Sequence, residues 1–329
     1  MTVSRRAALS TVLAGLPLAA PSLALAQVRY PGRPLRVFVP WTPGGATDIQ
    51  MRTVCEIASR HLGQPIVVEN KPGASGTLGA QMLAREARPD GYTLSQMPNG
   101  VFRMPAMMRA QNMTPPYDPL TDFTWILRMV GYMGGVVVRP DAPWRSMGDL
   151  LAHALVHPGT LFYGTPGANT TDVTMTRLAR LLGIDWTAVP FRGAAPNLQA
   201  LLGGQIHFSA ETSAWADMAL EGRVRPLALW MSARAARFPD VPTFTELGHD
   251  VVSESAYGLA APRGTPPAIV GTLHDAFKLA VHDPQHLAVL ARFDMPVRYL
   301  DSEAYADDAR VVNAQEIETV RALGLRPGG

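Results

Sequence analysis

The chain has 329 residues, one cysteine, and 29 Lys+Arg against 27 Asp+Glu. Residues 1–26 contain Arg5 and Arg6 and no acid. The remainder is therefore formally neutral, and the high isoelectric point is no argument for a nucleic-acid partner. A single cysteine excludes a disulfide within the chain, and nothing after Gln27 reaches the ~18 consecutive apolar residues of a membrane helix.

Ser4-Arg5-Arg6 precedes an uncharged, Leu- and Ala-rich run that ends in Ala24-Leu25-Ala26. This reads as a secretory signal peptide over 1–26. The paired arginines suggest the twin-arginine route, with the general secretory route as the alternative. About 300 residues then remain, enough for two domains.

Leu35 to Val39 reads as a buried strand. Pro40 and Pro43 stop it, and Gly44-Gly45 allows positive φ before a helix in which Met51, Val54, Ala58 and Leu62 share one face. Thr47 or Asp48 is the expected cap. A strand feeding a helix N-terminus through glycines presents free N–H groups and a positive dipole end, which suits an anion. Cys55, beside the apolar face of that helix, reads as a core thiol.

Ile66 to Asn70 is a second strand, Lys71 to Gly76 a second glycine turn, and Thr77 to Ala87 a second helix. Tyr92-Thr93-Leu94 is a third strand, and 98–120, rich in Met and Pro, reads as irregular. Phe123 to Arg128 and Gly135 to Val138 are further strands. Ser146 with Asp149 forms a capping box for a helix over 147–156. Leu161 to Tyr163 leads through the glycine turn 164–170 into a helix over 171–182. Thr187 to Phe191 leads through Arg192-Gly193 into a helix over 195–202. Ile206 to Ser209 and Pro226 to Trp230 are strands, and helices over 267–281 and 302–322 complete the chain. The alternation predicts parallel sheets covered on both faces, with ligands at the carboxyl ends of the strands. Loops 42–47, 71–76, 164–170 and 192–193 fall at such ends.

Several stretches together resemble the substrate-binding receptors of tripartite tricarboxylate transporters, also called the Bug family. They are Arg33 to Arg36, Pro40 to Asp48, Gly63 to Ala74, Pro89 to Leu94, Tyr117-Asp118-Pro119, Asp122-Phe123, Val189 to Pro196, Leu201 to Gly204 and Pro239 to Thr243. The resemblance runs in order over almost the whole chain after residue 26. It implies an α/β periplasmic binding protein of type II, with two doubly wound α/β domains, a hinge and an interdomain ligand cleft. Domain 1 would be 28–130 plus 255–329 and domain 2 131–254, with the chain crossing near 131–135 and 255–258.

The implied function is capture of a small carboxylate, an organic acid or amino acid, in the periplasm. The capture would serve the membrane subunits of a transporter or a sensor kinase. The implied protein is a monomer with no cofactor, metal or catalytic residue. Carried over residue by residue, the ligand site comprises Trp41, Gly44, Gly45, Ala46, Thr47, Asp48, Ala74, Ser75, Thr165, Gly167, Ala168, Asn169, Thr170, Arg192 and Gly193. Three positions depart from the family: Trp41 stands where Phe is usual, Val173 where His is common, and His207 for a frequent Asp. On chemistry alone, backbone N–H groups at two or three helix N-termini would hold the carboxylate, helped by the Thr47, Ser75, Thr165 and Thr170 hydroxyls.

The alternative class is an exported dinucleotide-binding oxidoreductase, since Glu69 ends a strand 24 residues after Gly45. The loop lacks G-x-G-x-x-G, and Asp48 would repel a pyrophosphate. Gly73-Ala74-Ser75-Gly76 is not a nucleophile elbow. The pairs His153/His157 and His282/His286 have metal-compatible spacing but read as surface histidines. An adhesion role predicts repeats, which the sequence lacks.

Overall fold

The computed structural model describes residues 30–165, 170–253 and 255–325. All of these except Tyr30 belong to one compact unit, Pro31–Gly329. The signal-peptide segment lies outside the described residues.

The chain begins with β1 (Leu35–Val39), α1 (Ala46–Leu62), β2 (Ile66–Asn70), α2 (Leu78–Glu86), β3 (Thr93–Met97), α3 (Gly100–Ala110) and β4 (Phe123–Val130). It then runs through β5 (Gly134–Val138), α4 (Met147–Val156), β6 (Phe162–Thr165), α5 (Thr170–Leu182), β7 (Thr187–Pro190), α6 (Ala194–Leu202), β8 (Phe208–Thr212), α7 (Ala216–Leu220) and β9 (Arg225–Leu229). It ends with β10 (Tyr257–Pro262), α8 (Pro267–Val281), α9 (Pro284–Arg292), β11 (Val297–Leu300) and α10 (Ser302–Leu323).

Two sheets result. The first has the order β11-β4-β10-β3-β1-β2 and the second β7-β6-β8-β5-β9. The expectation of wholly parallel sheets needs correction. β2, β1 and β3 run parallel, as do β7, β6 and β8. β10 is antiparallel to both β3 and β4, β11 to β4, and β5 to both β8 and β9. The reason is where the chain changes sheets. Tyr257, opening β10, pairs with Val130, which closes β4, and Gly134, opening β5, pairs with Thr212, which closes β8. Each incoming strand starts at the carboxyl end of its neighbour, so it must run backwards along it. Both crossings therefore sit at the carboxyl ends of β4 and β8.

The core follows the apolar pattern. Leu35, Val37, Phe38 and Val39 are buried in β1, under Met51, Val54 and Ala58 of α1. The second sheet packs Val136, Val138, Phe208 and Ala210 against Met147, Leu150, Met175 and Leu178 from α4 and α5. Cys55 is buried, as read from its position, and burial pushes its thiol well above the usual range. The Ser146–Asp149 capping box is formed on both sides.

Besides α7 and β11, which the sequence reading left unassigned, three elements differ from the sequence expectation. Residues 100–110 form α3 although Pro105 lies inside it. Proline removes the N–H that would bond the carbonyl four residues back. The Tyr117 hydroxyl supplies the missing donor, bonding Val101 O at 3.0 Å. Residues 284–292, left unassigned from sequence, form α9, which Pro284 opens at its first turn behind the Asp283 cap. His286 is fully buried there rather than on the surface. Its Nδ1 lies 2.8 Å from Val281 O and its Nε2 2.8 Å from the Gln50 amide nitrogen, while Tyr257 OH donates to Gln50 Oε1. Burial holds the imidazole below its usual pKa, which suits an Nδ1–H donating to the carbonyl and an Nε2 accepting from Gln50. The third is β10, which the sequence reading left unassigned.

Candidate functional site

One cavity gathers the carboxyl ends of strands from both sheets. It leaves about 800 Å³ of space between atoms, part of it open to solvent. Trp41, Thr42, Gly45, Ala46 and Thr47 enter from the loop after β1, Ser75 from that after β2, and Pro98, Asn99 and Gly100 from that after β3. Tyr132 comes from the first crossing and Ser255 from the second. The other sheet contributes Thr170 and Thr171 after β6, Gly193, Ala194 and Ala195 after β7, then Glu211, Thr212 and Ala214 at the end of β8.

Four helices of nine residues or more begin at this cavity: α1, α3, α5 and α6. The expected side-chain cap on α1 is absent. Gly45 is the N-cap, and Thr47 and Asp48 lie within the first turn. The first bond of that helix runs from Ile49 N to Gly45 O, so the Ala46 and Thr47 N–H groups precede the ladder. Gly193, likewise without a side-chain cap, opens α6. No Lys, Arg or His side chain lines the cavity among the described residues. The positive ends that reach it are those of helices.

The first loop is held by Asp48. Its carboxylate accepts from Gly44 N at 2.9 Å, Arg52 Nε at 3.0 Å and Asn70 Nδ2 at 2.7 Å. Burial would raise its pKa, but the Arg52, Gly44 and Asn70 hydrogen bonds outweigh that and hold the carboxyl below its usual range. Asn70 Nδ2 also reaches Trp41 O at 2.9 Å, which ties the loop to the end of β2. Gly76, at φ 85°, lies under the Trp41 ring, where a Cβ would sit 2.8 Å from the indole. That close approach lets the large indole lie flat at the cavity wall. Thr47 Oγ1 donates to Tyr132 OH at 3.0 Å, and Gln96 Nε2 donates to the same oxygen at 3.2 Å. Burial pushes the Tyr132 phenol up to about 12, so it stays neutral. Its ring packs on Tyr257 with centroids 4.8 Å apart, which links the two crossings. Thr170 Oγ1 donates to Ser255 Oγ at 3.0 Å.

Of the residues expected from sequence, Trp41, Gly45, Ala46, Thr47, Ser75, Thr170 and Gly193 line the cavity. Gly167, Ala168 and Asn169 lie outside the described residues. Gly44, Asp48, Ala74, Thr165 and Arg192 do not line it. Gly44 and Ala74 are solvent-exposed and adopt φ 86° and 47°, so they shape turns. Asp48 is buried behind the loop, its oxygens engaged by the donors above. Thr165 is buried, its hydroxyl 3.1 Å from that of Thr171. Arg192 is exposed and is not part of the lining. Val173 is buried beyond the α5 first turn, and His207 Nδ1 accepts from Phe162 N at 2.9 Å, away from the cavity. Sequence reading missed Asn99 and Gly100, because 98–120 was read as irregular. It missed Glu211 and Thr212 because the strand was ended at Ser209, three residues early. Tyr132 and Ser255 could have been found, since both fall within the crossings expected near 131–135 and 255–258.

A strand-end cavity between two mixed sheets is the architecture of a periplasmic solute-binding receptor, and the relatives define which kind. Residues 50–325 match the tripartite tricarboxylate transporter family receptor. A UPF0065 protein encoded in the gbd 5′ region of Cupriavidus necator is 42% identical, over 97% of this chain and 96% of its own. Among solved structures, the periplasmic binding protein BugD is 28% identical with a TM-score of 0.84, covering 90% of this chain and 99% of its own. MatC from Rhodopseudomonas palustris, solved with bound malate, is 30% identical with a TM-score of 0.79, covering 88% and 100%. The chain belongs to the tripartite tricarboxylate transporter receptor family, the Bug receptors. That is a family of solute-binding receptors and not of enzymes, so the dinucleotide-binding oxidoreductase reading is withdrawn.

Proposed function

We propose that this receptor captures a small carboxylate in the cavity between its two sheets and delivers it to the membrane subunits of a tripartite tricarboxylate transporter. The observation behind this is the convergence of four helix N-termini on a cavity whose lining, among the described residues, has no cationic side chain. A charge at a helix end gains roughly 0.3–1 kcal/mol when exposed and up to ~2 when partly buried. Each charge-assisted hydrogen bond adds about 1.5–3 kcal/mol. Several such donors are enough without a salt bridge. MatC, with malate bound, supports the ligand class. The leader 1–26 would deliver the receptor, as a monomer, to the periplasm by the twin-arginine or general route.

The sheets are taken as the centres of two domains, 28–130 plus 255–329 and 131–254. Each connection carries one ring of the Tyr132–Tyr257 pair, whose centroids lie 4.8 Å apart. Such paired crossings allow hinge closure on a ligand. Small-angle scattering on ligand-freed protein, with and without an acid shown to bind, is expected to give a smaller radius of gyration when bound. An unchanged radius with binding confirmed would mean that capture involves no closure.

A further inference from the structure

The cavity contains one formally charged side chain, and its sign is wrong for an anion. Glu211, next to last in β8, lines the cavity and is only 1% exposed. Its Oε1 accepts from Thr212 N at 2.8 Å and from Thr212 Oγ1 at 3.0 Å. Its Oε2 accepts from Asn197 Nδ2 at 2.9 Å. All three donors are neutral, and among the described residues no Lys, Arg or His pairs with it. The neighbouring Asn197 Oδ1 is buried without any donor.

A buried carboxylate without a counter-charge is costly, and a second anion placed in the same enclosure adds repulsion. A dicarboxylate would put a carboxylate on the helix ends and another beside Glu211. An ammonium group removes the problem. It donates to a carboxylate oxygen, and its charge neutralises the acid. Thr212 Oγ1, which lines the cavity and spends its proton on Glu211, keeps lone pairs to accept a further ammonium hydrogen.

We propose that the ligand is an amino carboxylate, its carboxylate on the helix N-termini and its ammonium paired with Glu211, so that Glu211 is the residue selecting amino acids over diacids. This rests on the carboxylate reading of the cavity and narrows it. The direction of the Glu211 pKa, raised by burial and only partly offset by the Asn197 and Thr212 hydrogen bonds, fits a group whose charge awaits a partner.

The test is isothermal titration of ligand-freed protein with two sets of probes. One set is the L-amino acids together with β-alanine, 4-aminobutanoate, 5-aminopentanoate and 6-aminohexanoate. The other contains the diacids that bear a carboxylate in place of each ammonium, malonate to adipate among them. The tightest ligand is expected in the amino set, at least tenfold tighter than its matched diacid. Glu211→Gln is expected to reduce that ratio at least tenfold, with folding checked by melting. If the variant does not fold, the wild-type ratio decides. A diacid that binds as tightly as its amino partner overturns this inference and leaves the carboxylate reading in place. An unchanged ratio in a folded Glu211→Gln protein also overturns it. Binding by no member of either set overturns both.

Discussion

Arg103→Met is expected to destabilise the ligand-free protein by about 3–5 kcal/mol, the usual cost of leaving one partner of a buried ion pair alone. Arg103 in α3 is 2% exposed, and its Nε and Nη2 each lie 2.7 Å from a Glu316 oxygen of α10. This two-pronged pair fixes α3, whose first residues form the cavity wall, to the longest helix of the chain. Removing the arginine strands a buried carboxylate, which is far costlier than losing a surface ion pair. With about 2–4 °C per kcal/mol for chains of moderate size, the melting temperature should fall by roughly 10 °C. The double variant Arg103→Met/Glu316→Leu should recover most of the loss, because no charge is then left buried. Calorimetry of the three proteins measures this. A single variant within about 1 kcal/mol of the parent would mean that the pair is open to water in solution.

Gly45→Val is expected to weaken ligand binding at least a hundredfold, about 2.7 kcal/mol, and to leave the fold intact. The sequence alone suggested that a Cβ here would break the turn. The structure corrects that: Gly45 adopts φ −76° and ψ 165°, which any residue tolerates, and an added Cβ meets only Thr42 O at 3.9 Å. Gly44, at φ 86°, is the position that requires glycine. The valine would project from the N-cap of α1 into the space where the ligand approaches the first free N–H groups. Arg192→Ala should change affinity by less than about twofold, since an exposed guanidinium outside the lining contributes little. Titration calorimetry on both variants, with circular dichroism as the folding check, distinguishes the two positions. Normal binding by Gly45→Val together with total loss in Arg192→Ala would move the site to the other loop.

Much of this architecture was legible in the residues. The apolar run Leu35 to Val39 followed by Gly44-Gly45, and the Ser146/Asp149 box, are local signals, and they placed β1, α1 and α4 nearly to the residue. Helix 267–281 was bounded by Pro267 and its apolar stripe. What escaped depends on distant partners. Pro105 argues against a helix until Tyr117 is seen to satisfy Val101 O. His286 looks like a surface histidine until Gln50, 236 positions away, comes to within 2.8 Å of its ring. Asp48 looks like a ligand group because it follows a glycine turn, but Arg52 and Asn70 draw it behind the loop. Antiparallel β5 and β10 follow from where the chain changes sheets, which no local pattern records. Glu211 was hidden because three of its strand's last residues, Ala210 to Thr212, alternate too weakly to extend the apolar run beyond Ser209.

The most direct test of the central claim, that this cavity holds a carboxylate on helix ends without a cation, is a thermal-shift series on ligand-freed protein. Organic acids and amino acids are compared with their neutral carboxyl amides and with sugars. A ligand bound only by the folded chain adds about 2.7 kcal/mol at a hundredfold excess over Kd. At least one acid is expected to raise the melting temperature by several degrees while its carboxyl amide, with no anion for the helix ends, does not. Stabilisation by a sugar or by the amide forms, with no acid effective, would contradict the claim.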